Sequence, residues 1–535
     1  MHVRSVIYNQ ALSIASNCDI VGEVLRLERK RSAGSGEASG SRRWVGRLAA
    51  AAVTASIAAL AGCGNSYRPV LASIGVVGPA GQPAKYAIAV SSPSQTSVSG
   101  PTVFIGPWNS TTVYSVNQSV SYQGLQYVSL KNNNVNQNPA TSTGYWILLS
   151  NGLMTMVDFS GDTVLVTATI GVNPYYLALD TTGNYGYTLN SDKTVTSFNI
   201  NPQLISSQVT QSTLPTGTNP VSLFSSSSTT YIADQGVRAT DQMTGNPPAL
   251  QQQLPVPTGF TPVYVVGGQN AARLYSLAQS TSGAAGIAQA IEISAGNAIS
   301  STITVGRNPV YGVMTSDNRR AFVMNQGDNT VSVINTQTNG LDTHINSIPV
   351  GTRPVWADTA PGLDELVVLN QGTGTTPGSL SIVSIPLCSS AALPANPNCD
   401  PTNPIDAATF GQVVATVPVG INPIMVSVLA DYTRAYVANA GDPTLPCAAD
   451  GVAVAGKSTT CTISVVNLTS NTVTATIPIS GHPVWIATAA SQPSGKVYVV
   501  CNDSQVMTVI KTDSDRVWTT IALQGFGVSV RMSQP

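Results

Sequence analysis

The feature that most constrains this chain is a unit that recurs along it. Residues 306–351 hold one complete copy. It opens with Gly306-Arg-Asn-Pro309 and runs through an apolar strand, a polar turn and a second strand ending in Asn325. A Gly/Asp/Asn turn, the Val-Ser-Val-Ile strand at 331–334 and a last strand then lead to Gly351. Such a unit has four short strands in about 45 residues and cannot bury its apolar faces alone, so copies must stack; four strands per copy is the pattern of a propeller blade.

Searching for the same opening finds Gly171, Gly217, Gly259, Gly306, Gly351 and Gly420, each three residues before a proline, and a degenerate copy at Ser480-Gly-His-Pro483. An earlier partial unit, residues 83–90 and 154–164, is interrupted in its middle. The predicted fold is therefore all-β, a seven- or eight-bladed β-propeller of four-stranded blades. The count of paired central strands favours eight, and the first and last units can combine to close the ring. Glycine supplies a permissive backbone at the turn, and proline starts a strand without sacrificing a needed ladder donor.

The amino terminus reads differently. Arg42, Arg43 and Arg47 precede an apolar run, residues 48–60, that ends in Leu60-Ala61-Gly62-Cys63. This resembles a bacterial lipoprotein signal, which implies export and a lipid anchor on Cys63, at the cell surface or outer membrane or in the periplasm. Residues 1–62 are read as leader. They hold eight of the 24 Lys/Arg and four of the 25 Asp/Glu, so the remainder carries a formal charge of −5. Neutralising phosphates needs a basic surface, which argues against a nucleic-acid partner.

Cysteine usage agrees with export. Cys388 and Cys399 fall in one over-long repeat and Cys447 and Cys461 in the next, each pair closing an insertion, so two disulfides are expected. A zinc site is the alternative, but it wants closer spacing and partner histidines, and beyond the leader only His344 and His482 occur. No metal or cofactor is expected. Cys501 lies in an apolar strand and reads as a buried thiol.

The repeat itself resembles the YVTN-type, surface-layer β-propeller proteins. The residues that carry the likeness are Val350-Gly351-Thr-Arg-Pro354, Ala435-Tyr-Val-Ala-Asn439 and Asn329-Thr-Val-Ser-Val-Ile-Asn335. The interruption resembles the small chitin-type carbohydrate-binding modules of families 5 and 12. It does so through Trp108-Asn-Ser-Thr-Thr-Val-Tyr114, Val120-Ser-Tyr122-Gln-Gly124, Asn134-Val-Asn-Gln-Asn-Pro139 and Tyr145-Trp146. That likeness implies a small three-stranded module inserted in the first blade. The expected organisation is leader 1–62, propeller start 63–104, module 105–150 and propeller 151–535.

Two regions carry candidate binding residues. In the module, Trp108, Tyr114 and Tyr127 are candidates to stack on sugar rings, with Trp108 the expected exposed one and Tyr122 and Trp146 read as core. In the propeller, the residue two after each opening proline is mostly aromatic: Tyr176, Tyr264, Tyr311, Trp356 and Trp485. The residue before the proline is polar and includes Arg353 and His482. Aromatic faces and directional polar groups around a channel mouth suit sugars or other neutral ligands, but aromatics at a repeated strand position more often serve inter-blade packing. Neither ring contains an acid, and no nucleophile elbow, Walker loop or metalloprotease helix occurs. The expected function is thus non-catalytic, polysaccharide-binding or scaffolding. An exported channel-mouth enzyme and a structural surface protein with a protein partner are the alternatives.

Overall fold

The structure is a computed structural model. It describes residues 86–93, 103–204, 206–227, 229–337, 340–386, 406–448, 452–489 and 495–533. The leader, Cys63 and the expected Cys388–Cys399 disulfide lie outside the described residues. Among the described residues no helix is long and apolar enough to cross a membrane.

Eight four-stranded antiparallel sheets form, together with a ninth, mixed sheet. Seven of the eight are continuous in sequence and start at Pro174, Pro220, Phe260, Pro309, Pro354, Pro423 and Pro483; they are numbered sheets 2 to 8. Sheet 1 is a composite in which the carboxy-terminal strand Phe526–Met532 pairs with Tyr86–Ser92, followed by Asn151–Asp158 and Val164–Val172. The first and last partial units do combine. Each sheet's innermost strand touches the next one's, and the strand at Pro483–Ala489 touches Phe526–Met532, which in turn touches Pro174–Leu179. The fold is a closed β-propeller, in which the inner strands remain short sheet edges protected by the radial stacking of their neighbours.

The tertiary contacts show why the repeat contains its glycine and asparagine. Asn325, paired with Pro309, donates to Thr330 Oγ1 at 3.1 Å and Ser332 Oγ at 2.9 Å. Gly306, from the outer strand of the preceding sheet, donates its N–H to the same Ser332 hydroxyl at 3.3 Å, and a Cβ there would sit 2.6 Å from the Asn325 side chain. The same contact joins Gly171 to Asn190, Gly351 to Asn370 and Gly420 to Asn439. Glycine and asparagine, far apart in the repeat, are two halves of one blade-to-blade lock.

Sheet 3 departs from this rule. Asp234 replaces the asparagine and Asp241 the hydroxyl residue, both fully buried. Asp234 Oδ1 accepts from the N–H groups of Asn219 at 2.7 Å and Gly236 at 2.8 Å, and Gln253 donates to Asp241 Oδ1 at 2.9 Å. Burial, and then the charge of Asp234, pushes the Asp241 carboxyl up to about 7, so that it keeps its proton well above the ordinary carboxylate range. In sheet 8 Cys501 fills the asparagine position as a buried free thiol, and burial raises its pKa.

A second contact ties the sheets at their outer rim. Arg273 and Tyr275 both reach Asp342 of the next sheet, at 2.8 Å each; Arg434 and Tyr436 both reach Asp515. Lys496 and Tyr498 likewise reach Asp162, at 2.8 and 3.2 Å, which joins sheet 8 to sheet 1.

The inserted module differs from expectation in one respect. Besides Gln118–Tyr122, Leu125–Ser129 and Trp146–Leu148 it has a fourth strand, Val103–Pro107, running parallel to Gln118–Tyr122. The module interrupts sheet 1 between Tyr86–Ser92 and Asn151–Asp158, which pair directly with each other.

Candidate functional site

In so small a module the aromatic residues are needed for the core. Tyr114 is 1% exposed and Tyr127 8%, and both pack with Val120 and Trp146. They are buried in the module's core, and the reading of these two as sugar-stacking residues is corrected on that ground. Trp108 is half-buried, edge-on to Tyr122 at 5.4 Å, with its indole nitrogen buried and unpartnered. Trp146 is core as expected, its indole N–H donating to the Gln137 carbonyl at 2.9 Å. Tyr122 packs at the edge of that core, its hydroxyl accepting from Asn138 at 2.9 Å.

The propeller aromatics do meet. Tyr264 and Tyr311 from adjacent sheets lie 4.8 Å apart, and Tyr311 stacks on Trp356 at 3.9 Å. Trp356 then contacts Trp485 edge-on at 5.6 Å, skipping sheet 7, and Trp485 contacts Tyr176 at 6.4 Å, skipping sheet 1. Contacts between inner strands that are not neighbours can be made only across the interior of the ring. These five side chains therefore line and narrow the channel. All five are half-buried.

Sequence reasoning missed the two charged residues of this cluster. Arg531, on the inner strand of sheet 1, stacks its guanidinium over Trp485 at 4.3 Å and points Nε toward the Leu177 carbonyl at 3.4 Å. Among the described residues no carboxylate pairs with it at ion-pair distance. Asp358, two residues after Trp356, accepts from the N–H groups of Val428 and Thr359, at 2.9 and 2.8 Å. Burial pushes its carboxyl up to about 6 against those hydrogen bonds and the pull of Arg531. Burial also raises the phenols of Tyr176, Tyr264 and Tyr311, so they stay neutral and able to donate. A sequence signal existed for both. Asp358 is the one charge inside the strand Pro354–Ala360, and Arg531 lies in the eighth inner strand, which went unaligned because Gly527 stands where the other copies have proline.

Arg353 and His482 do not join the aromatics. Arg353 is exposed, with φ +57°, the left-handed backbone shared by Asn173, Asn308 and Asn422 at the same repeat position. The preference for asparagine there is a turn requirement. His482 is held by Asp503, Nδ1 to Oδ2 at 2.7 Å, beside the Cys447–Cys461 disulfide.

The channel thus offers three neutral phenols, two indoles, an unpaired guanidinium and a carboxyl that is neutral below about pH 6. These are the kinds of group by which proteins hold polar ligands with a flat face, and here the five rings also pack against one another.

No family model matches the chain, and no curated protein matches it. Among solved structures the chain is similar to a dihydro-heme d1 dehydrogenase, NirN, in complex with DHE. The TM-score is 0.51 at 10% identity, covering 71% of this chain and 72% of that one. It is also similar to apo AztD from Citrobacter koseri, with TM-score 0.47 at 11% identity over 71% and 94% of the two chains. A third is a putative 6-phosphogluconolactonase from Bacteroides fragilis, with TM-score 0.38 at 13% identity over 71% and 92%. At 10% identity the likeness to the first of these is one of fold alone.

Proposed function

We propose that the chain is an exported, lipid-anchored binding protein that holds a saccharide in the propeller channel without transforming it. One observation carries the reading: five aromatic side chains from five different sheets converge in the channel beside Arg531, whose guanidinium has no carboxylate partner among the described residues. Sugar rings stack on aromatic faces, while phenol and guanidinium donors bind hydroxyl or carboxylate oxygens. Anchoring through Cys63 would set this seat at the cell surface or outer membrane, and the inserted module, through Trp108, would add a second carbohydrate contact.

The test is titration of the purified protein with a panel of neutral and acidic oligosaccharides, followed by tryptophan fluorescence, beside Trp485→Ala and Trp108→Ala. Saturable binding lost in Trp485→Ala places the ligand in the channel, and loss only in Trp108→Ala moves it to the module. No binding to any glycan by the unaltered protein overturns the carbohydrate reading.

A second reading is a channel enzyme, which the raised carboxyl of Asp358 favours, since groups poised near neutrality suit proton transfer. Turnover of a bound glycan that is abolished in Asp358→Asn would support it over simple binding. The third, a structural protein with a protein partner, draws on the exposed Val103, Phe104 and Ile105 of the module's edge strand.

A further inference from the structure

In sheet 7 the turn between Arg434–Asn439 and Thr462–Asn467 is replaced by a long insertion, residues 440–461. Among its described residues, half-exposed Cys447 and buried Cys461 form a disulfide with Cα atoms 5.4 Å apart. The insertion lies against the turn that opens sheet 8, where His482 replaces the asparagine of most other copies. Both oxygens of Asp503 clamp this histidine. Oδ2 takes the imidazole Nδ1 at 2.7 Å and Oδ1 accepts the His482 backbone N–H at 2.8 Å. The far nitrogen, Nε2, has only a 3.4 Å contact with the Asp442 carbonyl.

One ligand atom each from Cys447, Cys461 and His482 lies within 4.8 Å of the others. Donor atoms around a single tetrahedral zinc ion stand about 3.5 to 4 Å apart, so the side chains need only small shifts once the sulfurs part. A carboxylate on the second imidazole nitrogen is what metal-binding histidines commonly have, because it fixes the ring and raises its basicity. Three separate segments therefore bring together two sulfurs, an oriented imidazole and its supporting acid.

We propose that Cys447, Cys461 and His482 form a redox-switched site for a thiophilic divalent cation of the zinc class, closed as a disulfide and opened by a thiol reductant. Two reductant thiols deliver two electrons and two protons. The Cys447–Cys461 bond breaks to two thiols as the reductant forms its own disulfide. The cation then displaces the two thiol protons, making two metal–thiolate bonds and one bond to His482 Nε2, and the fourth position is left to water. Asp503 is a positioning residue.

The probe is cobalt(II), added to the full-length protein after reduction by a phosphine and removal of the phosphine. The background carries Cys388→Ser and Cys399→Ser, so that those thiols cannot contribute. The expected result is a thiolate-to-cobalt charge-transfer absorption, two protons released per cobalt, and displacement of the band by zinc. The oxidised protein and reduced His482→Ala should lack the band, and Asp503→Asn should bind about tenfold more weakly or worse. Circular dichroism on each sample reports folding, and Cys501→Ser should leave the band unchanged. The proposal is overturned by a reduced, folded protein without the band, by His482→Ala binding cobalt like its parent, or by reduction alone unfolding the chain.

Discussion

Lys496 Nζ stands 2.8 Å from Asp162 Oδ2, with both side chains almost out of solvent, and Tyr498 adds its hydroxyl to the same carboxylate. The pair joins the last continuous sheet to the composite sheet that closes the ring. Asp162→Ala would leave a buried ammonium with the Phe159 and Ser160 carbonyls and the Phe159 ring but no counter-charge, and a buried phenol without its acceptor. Losing one partner of a buried pair costs about 3 to 5 kcal/mol. Urea denaturation should show a loss of that order, against a change within about 0.5 kcal/mol for an exposed control such as Asp513→Ala.

Asn439→Ala tests the repeat lock. Asn439 is fully buried and donates to Thr462 Oγ1 at 3.1 Å and Ser464 Oγ at 3.0 Å, and its Oδ1 accepts the Gly420 N–H at 3.1 Å. Removing the amide orphans that N–H and opens a small void, for a loss of about 1 to 3 kcal/mol by thermal or urea unfolding. Gly420→Ala should be comparably harmful from the opposite side, because its Cβ would press on the same amide.

Sheet 3 predicts the opposite sign. The folded Asp241 carboxyl keeps a proton that the unfolded chain releases in the ordinary carboxylate range, so native protein binds more protons there and stability falls as pH rises. Asp234→Asn with Asp241→Ser installs the amide and hydroxyl found in the neighbouring sheets. The double variant should match the parent near about pH 4 and exceed it increasingly toward about pH 8, with melting temperature as the readout. Equal slopes for the two proteins would show that Asp241 does not keep its proton in this range.

The channel predicts a pH-dependent affinity. Asp358, pushed up to about 6, is neutral below that pH and anionic above it, close enough to Arg531 for each to feel the other's charge. Binding of a uronic-acid oligosaccharide should weaken as pH rises through about 6, while a neutral oligosaccharide should be indifferent. Asp358→Asn should remove the dependence, and Arg531→Met should remove most of the acidic sugar's affinity at every pH. Calorimetric titration at a series of pH values reads all three.

The sequence alone determined the repeat and its local consequences. The Gly-x-x-Pro openings, the strand lengths and the asparagine-ended second strands recur at short range and are legible in the chain, the strands through burial on both faces of each sheet, even though the reason for the glycine and the asparagine is tertiary. They were enough for the propeller and for the convergence of Tyr176, Tyr264, Tyr311, Trp356 and Trp485, because equivalent positions in a closed array point to equivalent places. Tertiary structure decided what depends on partners from different units. Gly306 and Asn325 show no relation in the chain until stacking brings one sheet's outer strand against the next sheet's inner half. The recurring Arg273-Leu-Tyr275, Arg434-Ala-Tyr436 and Lys496-Val-Tyr498 were visible as letters, but their acids lie in the following unit and only the stagger of stacked sheets pairs them. Arg531 entered the channel because strand Phe526–Met532 completes the first sheet, a closure between chain ends that no local pattern encodes. Tyr114 and Tyr127 turned inward for the reverse reason: a small module must spend its aromatics on its own core, and which ones face water is settled by packing and not by spacing.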